Sequence, residues 1–306
     1  MNEPVQDPEH ENPRLSGHET IEIDGSSLDL QKLVSVARNH AKVSLSGDAI
    51  LQIQRNAAML TKLVQKNTPI YGVNTGFGVL ASRKIPPSEL NKLSRNLVLS
   101  HSVGVGEALP EDIVRAGILV RANTLAKGMS GIRSEVIAIL LELLEKGVLP
   151  YIPSRGSLGS SGDLAPLAHL AQIISAHPAS PNPSYSGKAW FSGNLHSGEK
   201  ALAEAGIKPV DLGPKEGLAL VNGAAFSAAC LGLSLFDSMT LLDAAEKAAI
   251  LSFEALLGNT AALDSRIHAA RQHPGQIRTA SILRDRLHGS TLVDSTELVQ
   301  DPYSLR

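Results

Sequence analysis

At residues 160–163 the chain reads Ser-Ser-Gly-Asp, inside the segment GSLGSSGDLAPLAHL at 156–170. Asp163 is a residue type that caps helices, and Pro166 falls in the first helical turn, where its missing N–H costs no intrahelical bond. Ser160, Ser161 and Gly162 are therefore predicted at the mouth of a helix, where unpaired N–H groups and the positive dipole end favour developing negative charge. The same residues also read as an ordinary loop and cap.

Other chemistries lack their motifs. There is no Walker A loop, Gly104 and Gly106 are followed by Leu109 where GxGxxG needs its third glycine, and Asp163 replaces the closing glycine of GxSxG. The histidines contain no HExxH, and the lone Cys230 forms no CxxC and allows no intrachain disulfide. Cys230 lies in an Ala/Leu/Ser run and reads as a small buried hydrophobe in a reducing compartment. Isolated histidines such as His169 and His177 read as surface or satisfied core residues.

The elements that must carry the segment are mostly helical. Ile50, Ile53, Ala57, Leu60 and Leu63 share one face, and a second helix opens at Ser134, aligns Val136, Leu140 and Leu143, and stops at Gly147. TIEIDGSSL near residue 21 alternates like a strand with a turn at Asp24-Gly25. From Glu216 to Leu257 the pattern is apolar or small on nearly every side, as in a helix buried among other helices, and the short polar stretch after it is too little to surround it. Subunit association or further sequence is therefore expected to cover it. With aromatics at 3%, its core is aliphatic. Residues 177–193, rich in Pro, Ser and Gly, read as an exposed loop.

Charge and length exclude some partners. The 306 residues carry 28 Lys+Arg against 30 Asp+Glu, a net charge of −2 with no basic cluster, so no nucleic-acid partner is expected. Residues 1–18 are charged and poor in large apolar side chains, which predicts a disordered tail without the apolar core of a signal peptide. No membrane span is expected later in the chain, and the protein is expected to be cytoplasmic.

From about Ile21 to Arg306 the sequence resembles the histidine and aromatic amino-acid ammonia-lyase family. The resemblance is carried by YGVNTGFG at 71–78, LSHSVGVGE at 99–107, GSLGSSGDLAPLAHL at 156–170, EGLALVNG at 216–223 and QDPYSLR at 300–306. It implies a mainly α, aspartase-like fold: an N-terminal mixed helical domain over 19–215 followed by the start of a long-helix bundle over 216–306.

It also implies an internal cofactor, 4-methylidene-imidazole-5-one, made from Ser160-Ser161-Gly162, with no external cofactor and no metal. In ring closure the Gly162 nitrogen would attack the Ser160 carbonyl carbon, and loss of water from Ser161 would leave an exocyclic methylene. Glycine suits the attacking position because it has no Cβ. Ser160 departs from the family's usual Ala, but only its backbone carbonyl enters the ring.

Tyr71 matches the family's base, with a Tyr packed beside a glycine turn as the plainer reading. Asn222 matches a residue that hydrogen-bonds the substrate carboxylate or the ring, or else marks a kink in a buried helix. Tyr303 matches a polar active-site residue, and Arg306 matches the arginine that grips the substrate carboxylate through a bidentate fork. Pro302 stands where the motif usually has Ala.

The Ser100-His101 pair resembles that of histidine lyases, in which His101 would hydrogen-bond an imidazole substrate. Histidine to trans-urocanate and ammonia is the leading reaction. Asn222-Gly223-Ala224-Ala225 lacks the Thr-Gln often found in histidine lyases, which keeps a phenylalanine or tyrosine lyase, or an aminomutase, as the alternative. Family members continue beyond the QD-x-YSLR block and form tetramers, so this chain is expected to be truncated and an inactive remnant is a third reading.

Overall fold

The computed structural model describes residues 20–66, 68–158, 162–176 and 183–305. The expected tail, His177, Ser160, Ser161 and Arg306 lie outside them. The described elements run β1 (Ile21–Ile23), α1 (Leu30–Arg38), β2 (Val43–Leu45), α2 (Gly47–Gln65), α3 (Leu90–His101), β3 (Val105–Ala108), α4 (Glu111–Ala126) and α5 (Ser134–Lys146). They continue β4 (Leu149–Pro150), β5 (Pro153–Arg155), α6 (Leu164–Ile174), β6 (Lys188–Phe191), β7 (Asn194–Ser197), α7 (Gly198–Glu204), α8 (Glu216–Val221), α9 (Ala225–Ala255), α10 (Ser265–Arg271) and α11 (Pro274–Leu287). Two compact units divide inside α9, after Leu233. Position 216, where the bundle was expected to begin, is the first residue of α8 in the first unit.

The sequence signals explain several local outcomes. The Asp24-Gly25 turn follows β1: the Asp24 carboxylate accepts the N–H groups of Ser26 and Ser27, and Gly25 takes φ +85°. β1 then pairs in parallel with β2. Helix α2 places Ile53 inward, with Ile50, Ala57, Leu60 and Leu63 half-buried along the same face. Helix α5 ends at Gly147, whose left-handed φ of +70° lets the chain turn without a Cβ penalty. Its buried Val136, Ile137, Leu140 and Leu143 each contribute about 1.5–3 kcal/mol of apolar burial.

Helix α4 is the central member of the first unit and packs on α1 and α5, while α3, α6 and α8 pack on one another. Gly217 permits a close approach of α8 to α3, because a Cβ there would lie 2.9 Å from the Ser94 carbonyl carbon. In the second unit, Phe253, Leu263, Leu283 and Leu287 form a core, joined by Ile250, Val293 and Leu305.

Four expectations need correction. The 216–257 helix is broken at Asn222-Gly223-Ala224, where backbone bonds leave the helix for another segment. Residues 188–191, expected in a loop, form β6, because Ser192 (φ +49°) and Gly193 (φ +78°) make the tight turn that folds β7 back onto it. Cys230 is half-buried rather than buried, and burial pushes its thiol pKa up. Helix α9 is long and apolar enough to cross a membrane by length and composition, with a mean hydropathy of 1.5 in its most apolar stretch, although no such segment was expected.

Candidate active site

Gly162 is the described member of the tripeptide, and its backbone is tightly held. It takes φ +81° and pairs in parallel with Gly223, and the next amide, Asp163 N–H, donates to the Gly223 carbonyl at 2.7 Å. A Cβ on Gly162 would lie 2.6 Å from the Gly223 carbonyl carbon, so the position excludes every other residue on space as well as on dihedral. This pairing draws the Asn222-Gly223 turn onto the mouth of α6. It is also why the apolar 216–257 run breaks there.

Asp163 is the first residue before α6, and its carbonyl accepts the Leu167 N–H at 2.9 Å. Its carboxylate does not cap α6, contrary to expectation. Instead it accepts the Ser227 backbone N–H at 2.7 Å and the Ser227 hydroxyl at 2.6 Å. Ser227 is in the first turn of α9, so Asp163 caps the neighbouring helix, whose exposed donors and positive end attract the carboxylate. One aspartate thereby ties the end of the tripeptide to α8 through its amide and to α9 through its side chain.

Asn222 closes α8, where its N–H donates to the Leu218 carbonyl at 3.0 Å and its side chain is exposed. The Glu216 carboxylate fixes the other end of α8. It is 2% exposed and accepts from the Arg133 backbone N–H at 3.0 Å, Arg133 Nε at 2.8 Å, Nη2 at 2.6 Å and the Gly213 N–H at 2.7 Å.

The YGVNTGFG block rests on the same helix. Gly72, at φ +71°, lies so near Leu218 that a Cβ would sit 2.5 Å from its methyl carbon. Asn74 is buried and folds the loop, accepting the Ile70 N–H at 2.7 Å and donating to the Thr68 carbonyl at 2.9 Å. Tyr71 is 60% exposed and meets Phe77 edge-on at 6.1 Å between ring centres.

His101 ends α3. Its Nδ1 lies 2.9 Å from the Leu97 carbonyl and 3.0 Å from the Ser100 hydroxyl oxygen; in the neutral tautomer that donates to the carbonyl, Nε2 keeps a lone pair. Just beyond, Gly104 N–H donates to Nε2 of His169 at 3.1 Å. Burial lowers the His169 pKa, and the neutral ring acts as a satisfied core acceptor, one of the two roles the sequence allowed it. Gly156 approaches the same corner: a Cβ on it would lie 3.3 Å from the Gly104 Cα.

The first unit thus brings Gly162, Asn222 and the blocks holding Tyr71 and His101 onto the α3–α6–α8 group. Tyr303 lies in the second unit and is exposed there. Its block is held by Asp301, which is buried and accepts the Asn259 N–H at 2.6 Å. Arg121, Arg133, Glu216 and Ser227 were missed as supports of the site. The available signal was the placing of Arg115 and Arg121 in the otherwise apolar run of α4, where a surface residue would be the ordinary expectation.

Comparison with known proteins fits this arrangement. The sequence matches the family described as aromatic amino acid lyase over residues 28–306, and the chain belongs to that family. It is 46% identical over 287 residues to histidine ammonia-lyase of Treponema denticola, covering 94% of this chain and 55% of that protein. It therefore spans about half the length of the curated relatives it matches. Among solved structures, tyrosine aminomutase from Streptomyces globisporus superposes with a TM-score of 0.82 at 32% identity, covering 94% of this chain and 57% of that one. Histidine ammonia-lyase from Trypanosoma cruzi superposes with a TM-score of 0.77 at 34% identity, covering 87% and 50%. The expected mainly α, ammonia-lyase fold is borne out.

Proposed function

We propose that the chain carries the electrophile-bearing part of an ammonia-lyase that converts L-histidine to trans-urocanate and ammonia. The observation that carries this reading is the pairing of Gly162, the last residue of the tripeptide, with Gly223, the residue after Asn222, at the mouth of α6. The fit for a methylidene-imidazolone is supported by Gly162 itself, whose φ of +81° and contact with the Gly223 backbone admit only the residue type that the condensation uses at this position. Once formed, this group supplies a carbon electrophile for the substrate amine.

The chain's own residues do the rest. The Asn222 side chain is exposed beside Gly223 and can hydrogen-bond a carboxylate. In the tautomer whose Nδ1–H donates to the Leu97 carbonyl, Nε2 of His101 can accept an N–H from an imidazole substrate. Tyr71 is assigned the β-proton, and Arg306 the substrate carboxylate, with Tyr303 as a further polar contact. Ser160, Ser161 and Gly162 form the ring with loss of two waters, and no external cofactor or metal is assigned.

A homo-oligomer, a tetramer as in the intact family, is proposed as well. Exposed Leu231, Leu241 and Leu251 along α9, at 70%, 71% and 67%, support it, since apolar surface of that extent calls for a covering partner. Neither nucleic acid nor membrane is assigned as a partner, and a cytoplasmic location goes with this reading. The test is parallel turnover of His, Phe and Tyr followed by product absorbance. Urocanate from His is the expected product. Turnover of Phe or Tyr alone would defeat the His101 assignment and favour the second reading, a phenylalanine or tyrosine lyase or aminomutase, which the likeness to tyrosine aminomutase keeps in view.

A further inference from the structure

The Asn222-Gly223 turn is backed by a buried cation. Arg121, on α4, is 3% exposed, and its Nη2 donates to the carbonyls of Ala219 and Asn222, the latter at 3.0 Å. Its Nε–H has no partner among the described residues. Burial pushes its pKa down to about 10, with no carboxylate acting against that shift, so it is still charged at neutral pH. Arg121 also lowers the pKa of Lys215, after burial itself, so that neighbour adds like charge rather than compensation. A buried guanidinium with no carboxylate partner among the described residues is costly, and the carbonyls at the end of α8 offset only part of the cost.

The placement gives a reason for keeping it. Gly223 is paired with Gly162 and also lies close to the guanidinium, whose Nη1 would be 2.5 Å from a Cβ on Gly223. The carbonyl of Asn222, the residue before Gly223, is pinned by Arg121. We infer that Arg121 is a positioning residue for ring closure, holding Gly223 so that Gly223 holds the Gly162 nitrogen in place. The inference rests on the proposed condensation of the tripeptide. In that step the Gly162 N to Ser160 carbonyl-carbon bond forms and its oxygen leaves as water. A second water takes the Ser161 hydroxyl and its Cα proton. Arg121 gives up and receives no proton, and acts only through the Asn222-Gly223 backbone.

The test is a time course of intact mass during cell-free synthesis of the 306-residue chain, comparing wild type with Arg121→Lys and Arg121→Met. The wild type is expected to lose two waters. Arg121→Met should do so on the order of 10²-fold more slowly, the scale of an ångström of misplacement at a reacting pair. Arg121→Lys, which keeps the charge and can still donate to both carbonyls, should fall between them. Thermal melts establish that each variant is folded; if Arg121→Met does not fold, the comparison of Arg121→Lys with wild type decides. Water loss at wild-type rate in the folded variants overturns the inference about Arg121 alone. A wild type that keeps both waters overturns the condensation itself and this inference with it.

Discussion

The Asp163 carboxylate holds Ser227 by two bonds, taking its backbone N–H at 2.7 Å and its hydroxyl at 2.6 Å. Asp163 directly follows Gly162 and Ser227 comes shortly after Gly223, so the contact joins the start of α6 to the start of α9. Hydrogen bonds to a buried charged group are worth about 1.5–3 kcal/mol. Asp163→Asn is therefore expected to lower unfolding free energy by about 2 kcal/mol. Ser227→Ala, which leaves the backbone donor in place, should cost about 1 kcal/mol. Urea titrations of both variants check the order, and an equal cost would argue against the backbone N–H as the main anchor.

Gly162→Ala meets two obstacles together, a left-handed φ of +81° and a Cβ position 2.6 Å from the Gly223 carbonyl carbon. Strain of this kind costs about 1–3 kcal/mol and can be relieved only by separating residue 162 from Gly223. The variant is expected to melt earlier and to keep the mass of the uncondensed chain. A folded Gly162→Ala protein that still sheds two waters would contradict the role given to this pairing.

The helix ends were legible where a single residue type decides them, as at Gly147, whose left-handed turn stops α5. The break at Asn222-Gly223 was legible only as a possible kink, because its cause is a backbone partner some sixty residues away in sequence (Gly162) and a cation on α4. Strand β6 was hidden because composition around Ser192-Gly193 reads the same for a loop and for a hairpin turn. Local pattern gives elements, whereas long-range pairing decides which of their ends meet. The family resemblance named Tyr71, His101 and Asn222. It was silent on Arg121, Glu216 and Arg133, which act on backbone rather than on substrate.

Glu216 anchors the first turn of α8 while almost wholly buried, at 2% exposure, with Arg133 bonding it through Nε, Nη2 and the backbone N–H. Removing one partner of such a pair leaves buried groups unmatched and costs about 3–5 kcal/mol. Because Arg133 is partly exposed and water can replace some of its contacts, Glu216→Gln is expected near the lower figure, about 3 kcal/mol. Differential scanning calorimetry gives the measurement. A melting temperature unchanged from wild type would show that α8 is held by packing alone.

His169 offers a pH dependence with a definite sign. Its ring accepts the Gly104 N–H at 3.1 Å through Nε2, and burial holds its pKa below the ordinary 6.5. As pH falls through 6.5 the unfolded chain takes up the proton first, so stability is lost from there down to the folded-state value and is constant for this group above 6.5. The loss cannot exceed about 1.4 kcal/mol per pH unit for one proton. His169→Gln keeps an acceptor for Gly104 but does not titrate. Urea midpoints should therefore fall more steeply for wild type than for the variant between about pH 7 and pH 5, with carboxylates contributing equally to both. Parallel curves would mean that the His169 ring releases Gly104 and is protonated in water, and the corner where α3 leads toward α6 would then have a different support.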